Sequence, residues 1–318
     1  MEKKTFALKG NIIFTKEREH FEIIKQGYLI CENGKVREVC PVLPETFRGI
    51  PVEDMGDRLI LPGLTDLHIH APQYTFRSLG MDLELLEWLE TNTFPEEAKY
   101  KDSEYAARAY GIFAKQMKKS ATVRACIFGT IHSEATLTLM DLLEQAGLRT
   151  MVGKVNMDRN SPDYLREPSA RASADATREW LRAVADKGYH HTRPILTPRF
   201  IPSCTDELME LLKEIQQENS LPIQSHLSEN PGEIAWVKEL CPWSAFYGDS
   251  YDRFGLFGGD CPTIMAHCVY SGEEEVERMK KRGVFIAHCP ESNTNLSSGV
   301  APVRRYLDCL LYTSDAAD

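Results

Sequence analysis

The chain has 318 residues, of which 42% are hydrophobic and 26% are charged, a composition ordinary for a globular protein with a large core. Its net charge of −10 disfavours a nucleic-acid partner, because surfaces that bind a phosphate backbone are usually basic. No window approaches the ~20 apolar residues of a membrane span, and the N-terminal segment lacks the apolar core of a signal peptide. The nine cysteines form no CxxC pairs and fit reduced thiols, so we expect a cytoplasmic protein.

The N-terminal part of the chain has a strand-like pattern. β-branched and aromatic residues cluster around turn signals such as the ENG sequence at residues 32–34. This pattern predicts a small antiparallel sheet, which would form a β-sandwich-like accessory domain over residues 1–60. The strand candidates cover residues 5–15, 27–40 and 57–63 and contain no evident catalytic motif.

From residue 61 onward, short apolar strands alternate with amphipathic helices. Such alternation predicts a parallel sheet with helical crossovers, here a (β/α)8 barrel over residues 61–307 with one strand unaccounted for. The predicted strands are Leu64–His70, Thr122–Thr130, Arg149–Met157, Arg193–Phe200, Leu221–Leu227, Thr263–Val269 and Val284–Cys289. The predicted helices cover residues 103–120, 136–147, 172–188, 205–219 and 272–283.

The LPGLTDLHIHAPQY segment carries two histidines at the end of the first predicted strand. Alternate residues of a strand share a face, so His68 and His70 would point the same way, about 6–7 Å apart. In a barrel of this kind, functional side chains lie where strands end. Later predicted strands also end in polar or aromatic candidates: Arg199, Phe200, His226, His267 and His288. A single histidine would be interpreted as structural, but successive strand ends around one axis favour a metal site.

Imidazole nitrogens suit zinc, and a catalytic zinc site uses about three protein ligands and leaves a position for water. We choose His68, His70 and His226 as the predicted ligands. Glu229 follows His226 by three residues, which places a carboxylate near the metal. Alone, Glu229 would be interpreted as a solvated carboxylate at a helix start. Beside a ligand histidine, it is predicted to be the general base for water and later a general acid.

Several segments of the chain match a known family. They are PGLTDLHIH, TPRF at Thr197–Phe200, SHLSEN at Ser225–Asn230, AHCVY at Ala266–Tyr270 and HCPESNTNLSSG at His288–Gly299. On these segments the chain resembles the amidohydrolase superfamily from Lys9 to Leu307. HAPQY followed by LLEWLETNTFPEE is most similar to the guanine deaminase branch of that superfamily. HxH alone identifies the superfamily, whereas HAPQY, TPRF and SHLSEN together are more specific.

The resemblance implies a role for each catalytic candidate. His68, His70 and His226 would hold zinc. Glu229 would shuttle protons, and His267 would orient the attacking water or polarise the ring. The implied reaction is hydrolysis of guanine to xanthine and ammonia.

The resemblance also implies how the substrate and the metal are bound. Gln73, Arg199 and Phe200 would recognise a purine base as a hydrogen-bonding amide, a donor and an aromatic wall. Many amidohydrolases bridge two metals with a carboxylated lysine on the fourth strand. That strand ends in Arg199 here, so one zinc ion is expected. Dimers are common in the family, which makes a homodimer an expectation that no stretch of the sequence itself indicates.

Three alternatives compete with this interpretation. His132 and Glu134 fit the H-x-E motif of a smaller deaminase fold, but no P-C-x-x-C follows, so His132 is expected in a loop after the second strand. A sibling amidohydrolase that acts on a triazine, cytosine or adenosine-type substrate would keep the histidines and change the recognition residues. An inactive scaffold would typically have lost HxH or Glu229.

The chain departs from the family after Asp308, where it reads CLLYTSDAAD. In the family an eighth strand follows, and its aspartate ligates zinc and helps to activate water. Asp315 superficially resembles that aspartate but arrives a few residues early. We therefore expect residues 308–318 to be a non-native tail, the eighth strand to be missing and the barrel to be incomplete. A chain with exposed strand edges and one anionic partner fewer for zinc would be weakly active or inactive.

Overall fold

A computed structural model of the chain describes residues 5–17, 20–309 and 313–315, the last three by their backbone alone. The chain divides into two compact units, Met1–Gly63 and Leu64–Asp318. The boundary lies three residues beyond the predicted one at residue 60. Among the described helices, each is too short or too polar to cross a membrane.

The first unit contains a four-stranded sheet in the order β3-β2-β1-β4. Its strands are β1 (Thr5–Glu17), β2 (His20–Glu32), β3 (Lys35–Cys40) and β4 (Val52–Ile60). The predicted sheet is confirmed, and β1, β2 and β3 pair antiparallel as expected. However, β4 pairs parallel to β1, because residues 41–51 carry the chain back before β4 begins. Ala7, Ile30 and Cys40 form its small buried core.

The second unit alternates strands and helices, and every strand pair described in it is parallel. Its strands are β5 (Leu64–His70), β6 (Thr122–Phe128), β7 (Arg149–Gly153), β8 (Val155–Asn156), β9 (Thr192–Pro194), β10 (Thr197–Pro198), β11 (Ile223–Leu227), β12 (Thr263–His267), β13 (Phe285–His288) and β14 (Thr313–Asp315). The order β5-β6-β7-β9 continues through a bridge between Leu196 and Ile223 to β11-β12-β13-β14. This order is that of the predicted barrel.

The third and fourth predicted strands are each split in two. A Cβ atom on Gly153 would lie 1.7 Å from Oγ1 of Thr197, so the neighbouring strands approach closely at the split. Pro194 and Pro198 have no N–H to donate to a ladder, which limits β9 and β10 to short pieces. The interruptions leave β8 and β10 as a separate parallel pair.

The eighth strand differs from our expectation. We expected none, whereas Thr313–Asp315 pairs parallel to β13, with Asp315 opposite His288. A short extended segment suffices here, because the edge of β13 offers unpaired backbone donors and acceptors. Residues 310–312 and 316–318 and the side chain of Asp315 lie outside the described part of the chain. The non-native tail over residues 308–318 therefore stays a prediction.

Helices connect the strands and cover the sheet. They are α1 (Leu85–Trp88), α2 (Phe94–Ala98), α3 (Ser103–Met117), α4 (Ser133–Ala146), α5 (Ala170–Lys187), α6 (Asp206–Asn219), α7 (Pro231–Leu240), α8 (Asp249–Asp252), α9 (Glu273–Arg282), α10 (Pro290–Asn295) and α11 (Val303–Asp308). Side-chain caps begin several of them, as Thr205 does for α6, and left-handed glycines such as Gly188 end others. The central strands β11 and β12 are buried along their whole length, as in a parallel sheet covered on both faces.

Candidate active site

Three of the predicted strand-end histidines meet at one point. One ring nitrogen from each of His68, His70 and His226 lies within 4.8 Å of the other two. Nε2 of His70 is 3.0 Å from Nε2 of His226. Tetrahedral zinc with bonds of about 2.0–2.1 Å would place its nitrogen ligands about 3.3 Å apart, close to this separation. The three imidazoles therefore fit a metal ion.

The protonation of these histidines also suits a metal. The Nδ1–H of His226 donates to the backbone carbonyl oxygen of Arg199 at 2.6 Å, which leaves the Nε2 lone pair directed at the other rings. Burial, and then the charges of neighbouring groups, hold the pKa values of His68, His70 and His226 well below the ordinary histidine value. The rings are thus neutral, the form in which imidazole binds metals.

Glu229 and His267 form a pair at the ends of β11 and β12. Oε2 of Glu229 lies 3.3 Å from Nε2 of His267, and both side chains are almost fully buried. The segment after β13 supports this pair. Oδ1 of Asn293 is 2.8 Å from Nδ1 of His267, and the Ser298 hydroxyl donates to Oε1 of Glu229 at 3.3 Å. Both residues lie in the HCPESNTNLSSG motif, but the sequence alone assigns a role to neither Asn293 nor Ser298.

The predicted site residues line one cavity of about 400 Å³. Its volume is in the usual range for a small-molecule site. The cavity brings together all eight candidates: His68, His70, Gln73, Arg199, Phe200, His226, Glu229 and His267. Apolar walls come from the segment before α2, including Leu85, Trp88 and Leu89.

A sequence profile of the Amidohydrolase family matches residues 59–317. The chain belongs to the amidohydrolase family. The predicted resemblance and the predicted barrel class are thereby confirmed.

Curated relatives of this amidohydrolase include guanine deaminases. The one from Dictyostelium discoideum is 44% identical over 287 residues, which are 90% of this chain and 61% of the relative. The one from Escherichia coli is 36% identical over 290 residues, which are 89% of this chain and 62% of the relative. The chain thus spans less than two thirds of the length of these relatives.

Solved structures resemble this amidohydrolase over nearly its whole length. A crystal structure of guanine deaminase from C. acetobutylicum with guanine bound in the active site has a TM-score of 0.95 at 46% identity. The match covers 99% of this chain and 74% of that chain. A triazine hydrolase has a TM-score of 0.83 at 18% identity, which shows a common fold alone.

The residues predicted to recognise the base are firmly packed. Nη1 of Arg199 donates to Oε2 of Glu97 at 2.7 Å, and the two side chains are 3% and 1% exposed. The guanidinium lies 5.4 Å from the ring centroid of Phe94. The Phe200 ring meets Trp236 edge-on at 6.3 Å between centroids. Sequence reasoning missed Glu97, although it lies in the quoted LLEWLETNTFPEE motif.

Phe128 is a further residue that we missed, and its position at the end of β6 was the signal. Its ring stacks on His70 with 4.4 Å between centroids and contacts the edge of His68 at 5.0 Å. This packing fixes the orientation of both imidazoles and excludes water from their apolar side.

Two buried carboxylates hold the loop that carries Glu229. Oε2 of Glu233 accepts from the backbone N–H groups of Glu229 and Asn230 at 3.1 and 3.4 Å, while Oε1 accepts from the Tyr247 hydroxyl at 2.7 Å. Burial, and then the negative charge of Glu229, raise the pKa of Glu233 to about 7. Glu275 accepts from the Ser228 hydroxyl at 2.8 Å. Glu233 stands three residues after Asn230, the sequence signal of a capping box, whereas the role of Glu275 has no signal in a single sequence.

The backbone at the ends of β11 and β12 is strained. Ser228, His267 and Cys268 have φ values of 48°, 71° and 50°, in the left-handed region that non-glycine residues rarely adopt. The N–H of Cys268 donates to the Leu227 carbonyl at 2.9 Å, which ties the two strand ends together. These turns redirect the chain where the predicted catalytic side chains line the cavity.

His132 lies apart from this site. It precedes α4 in the loop after β6 and lines a second cavity together with Lys101 and Glu134. Burial, followed by the charges of Lys101 and Lys154, lowers the pKa of His132 to about 4. Its H-x-E motif therefore contributes no residue to the cavity of the eight candidates.

Proposed function

We propose that this amidohydrolase hydrolyses guanine to xanthine and ammonia, with one zinc ion held by His68, His70 and His226. The observation that carries the proposal is the convergence of all eight candidate residues on one cavity. The similarity to a guanine deaminase whose structure holds guanine in its active site supports the choice of base.

In the proposed reaction, the chain's own residues move protons and position the base. Zinc, when bound, would lower the pKa of a water molecule toward neutrality and so supply a nucleophile. Glu229 would accept the proton of that water as it attacks C2 of the base. His267, 3.3 Å from Glu229, would orient the water and stabilise the charge on the carboxylate. Glu229 would pass this proton to the ring nitrogen, then take the second proton from the hydroxyl now on C2 and deliver it to the amine as the C2–N bond breaks.

Three other residues would select the substrate. Arg199 would donate to the carbonyl oxygen at C6, since its guanidinium lines the cavity. Gln73 would pair its amide with another polar edge of the base. Phe200 would form an apolar wall against the ring plane.

A single zinc ion is proposed because the fourth strand offers no lysine. Arg199 follows β10, and its permanently protonated guanidinium, unlike a lysine amine, does not form the carbamate that bridges two metals. Lys154, near the end of the third strand, is fully buried, and its ammonium donates to Oε1 of Glu167 at 2.5 Å. Any reaction at the Lys154 amine would therefore have to displace its hydrogen bond to Glu167.

The test is ammonia release by zinc-loaded protein with guanine, 2-aminopurine, adenine, cytosine and an aminotriazine. Guanine is expected to be turned over fastest, and the Glu229→Gln variant is expected to release ammonia about 10²- to 10⁴-fold more slowly from every compound that the wild-type chain turns over. Turnover of another heterocycle without guanine turnover would replace the proposed substrate. A homodimer and a cytoplasmic location stay predictions, the first of which light scattering of the purified chain tests.

A further inference from the structure

Two neighbouring carboxylates on α2 contact the two segments that carry the polar recognition residues. Glu97 accepts from Arg199. Oε1 of Glu96 accepts from the Thr75 hydroxyl at 2.8 Å. Thr75 belongs to the turn Ala71–Phe76, which also contains Gln73. One short helix thus holds both sides of the base-recognition surface.

The contact between Glu97 and Arg199 has the features of a positioning interaction. Both side chains are almost fully buried, so an unpaired guanidinium here would be costly. Arg199 already carries positive charge beside three metal-binding imidazoles, and Glu97 offsets that charge. A guanidinium has five N–H donors, and the bond to Glu97 uses one Nη1, which leaves other donors for the cavity that Arg199 lines. Phe94, also on α2, supports the guanidinium from its ring face.

The turn that carries Gln73 is fixed in a similar way. Glu96 is buried and also accepts from the Tyr105 hydroxyl and, at 2.6 Å, from the Lys99 ammonium. The Tyr100 hydroxyl donates to the Pro72 carbonyl at 3.1 Å. The turn is therefore held by hydrogen bonds to the residues on either side of Gln73.

We propose that Glu97 and Glu96 are positioning residues for base recognition, Glu97 through Arg199 and Glu96 through the turn of Gln73. This inference rests on the proposed function. It predicts that each carboxylate affects guanine binding only while its own recognition partner is present.

Double-mutant cycles test the inference. Glu97→Gln is expected to lower kcat/KM for guanine about 10- to 100-fold, mainly through KM, because one bond of a charged donor is weakened and its geometry lost. In an Arg199→Gln background the same change should have almost no further effect, whereas in a Gln73→Ala background its full effect should persist. Glu96→Gln should show the opposite pattern.

A second buried ion pair provides the matched control for folding. Glu167→Gln weakens the pair with Lys154 and should lower the unfolding temperature while leaving KM for guanine unchanged.

If Glu97→Gln does not fold, Phe94→Leu serves instead, with a smaller rise in KM that also depends on Arg199. Equal losses in both backgrounds would overturn the inference alone. Absence of guanine turnover by the wild-type chain would instead overturn the proposed function, and the inference with it.

Discussion

Replacing Glu233 by glutamine should change how stability depends on pH. The fold raises the pKa of this carboxyl from 4.5 to about 7. One pKa unit corresponds to about 1.4 kcal/mol, so the preference of the fold for the protonated form is worth about 3 kcal/mol. Because the folded pKa is raised, this stabilisation is fully present below pH 4.5 and is lost as pH rises through about 7. Glutamine is neutral throughout and should abolish that loss.

Urea unfolding of both proteins at about pH 5 and about pH 8 measures the effect. The wild-type chain should lose roughly 2–3 kcal/mol more than Glu233→Gln between these values, because a small part of the stabilisation is already lost at pH 5. The buried histidines act in the opposite direction, since their lowered pKa values cost stability as pH falls. Both proteins contain these histidines, so their contribution to the pH dependence cancels in the comparison. Parallel curves for the two proteins would refute the reasoning, because Glu233 would then be ionised at neutral pH.

Glu144 provides a control, because its pKa is shifted in the opposite direction. Burial alone would raise its pKa, but hydrogen bonds from the backbone N–H groups of His190, His191 and Thr192 outweigh this and lower it. The stabilisation from Glu144 is therefore present above its ordinary pKa and is lost as pH falls. Glu144→Gln should remove a loss of stability on the acid side, opposite to the change at Glu233.

The site supports three further predictions. Glu229→Gln should lower kcat about 10²- to 10⁴-fold with an unchanged circular dichroism spectrum, and near-normal initial rates would contradict its role as proton shuttle. His226→Ala should leave dialysed protein with little zinc by elemental analysis, whereas His132→Ala, in the separate cavity, should keep the wild-type content. Lys154→Met leaves the buried Glu167 carboxylate without its partner and should lower the free energy of unfolding by about 3–5 kcal/mol in urea titrations. The KM for guanine should not change. An unchanged urea midpoint would show that the pair is not buried as described.

Much of the candidate site could be predicted because many of its residues lie at the ends of strands. The alternation of His68 and His70 and the recurrence of histidines where β11 and β12 end required only strand periodicity and barrel geometry. The motifs then supplied Gln73, Arg199 and Phe200, all of which line the same cavity.

The supporting residues could not be predicted, because their partners are distant in sequence. Glu97 and Arg199 are 102 residues apart, and Ser298 and Glu229 are 69 apart. Each of these polar residues, taken alone, fits a solvated surface position equally well. The left-handed turn at His267 likewise could not be predicted, because no glycine occupies that position.

The remaining differences arise from local geometry. A continuous apolar run predicted one strand at Arg149–Met157, but close approach at Gly153 divides it. The sequence around Thr313–Asp315 lacks the family context and so predicts no eighth strand, whereas these three extended residues pair along the edge of β13.

Zinc titration of metal-free protein tests the proposed site most directly, with xanthine formation from guanine as the readout. Activity should rise linearly and level off at one zinc per chain, with one ammonia released for each xanthine formed. Saturation at two zinc ions per chain would contradict the single-metal site. Failure to form xanthine at any ratio, in protein that is folded and binds zinc, would contradict the proposed function.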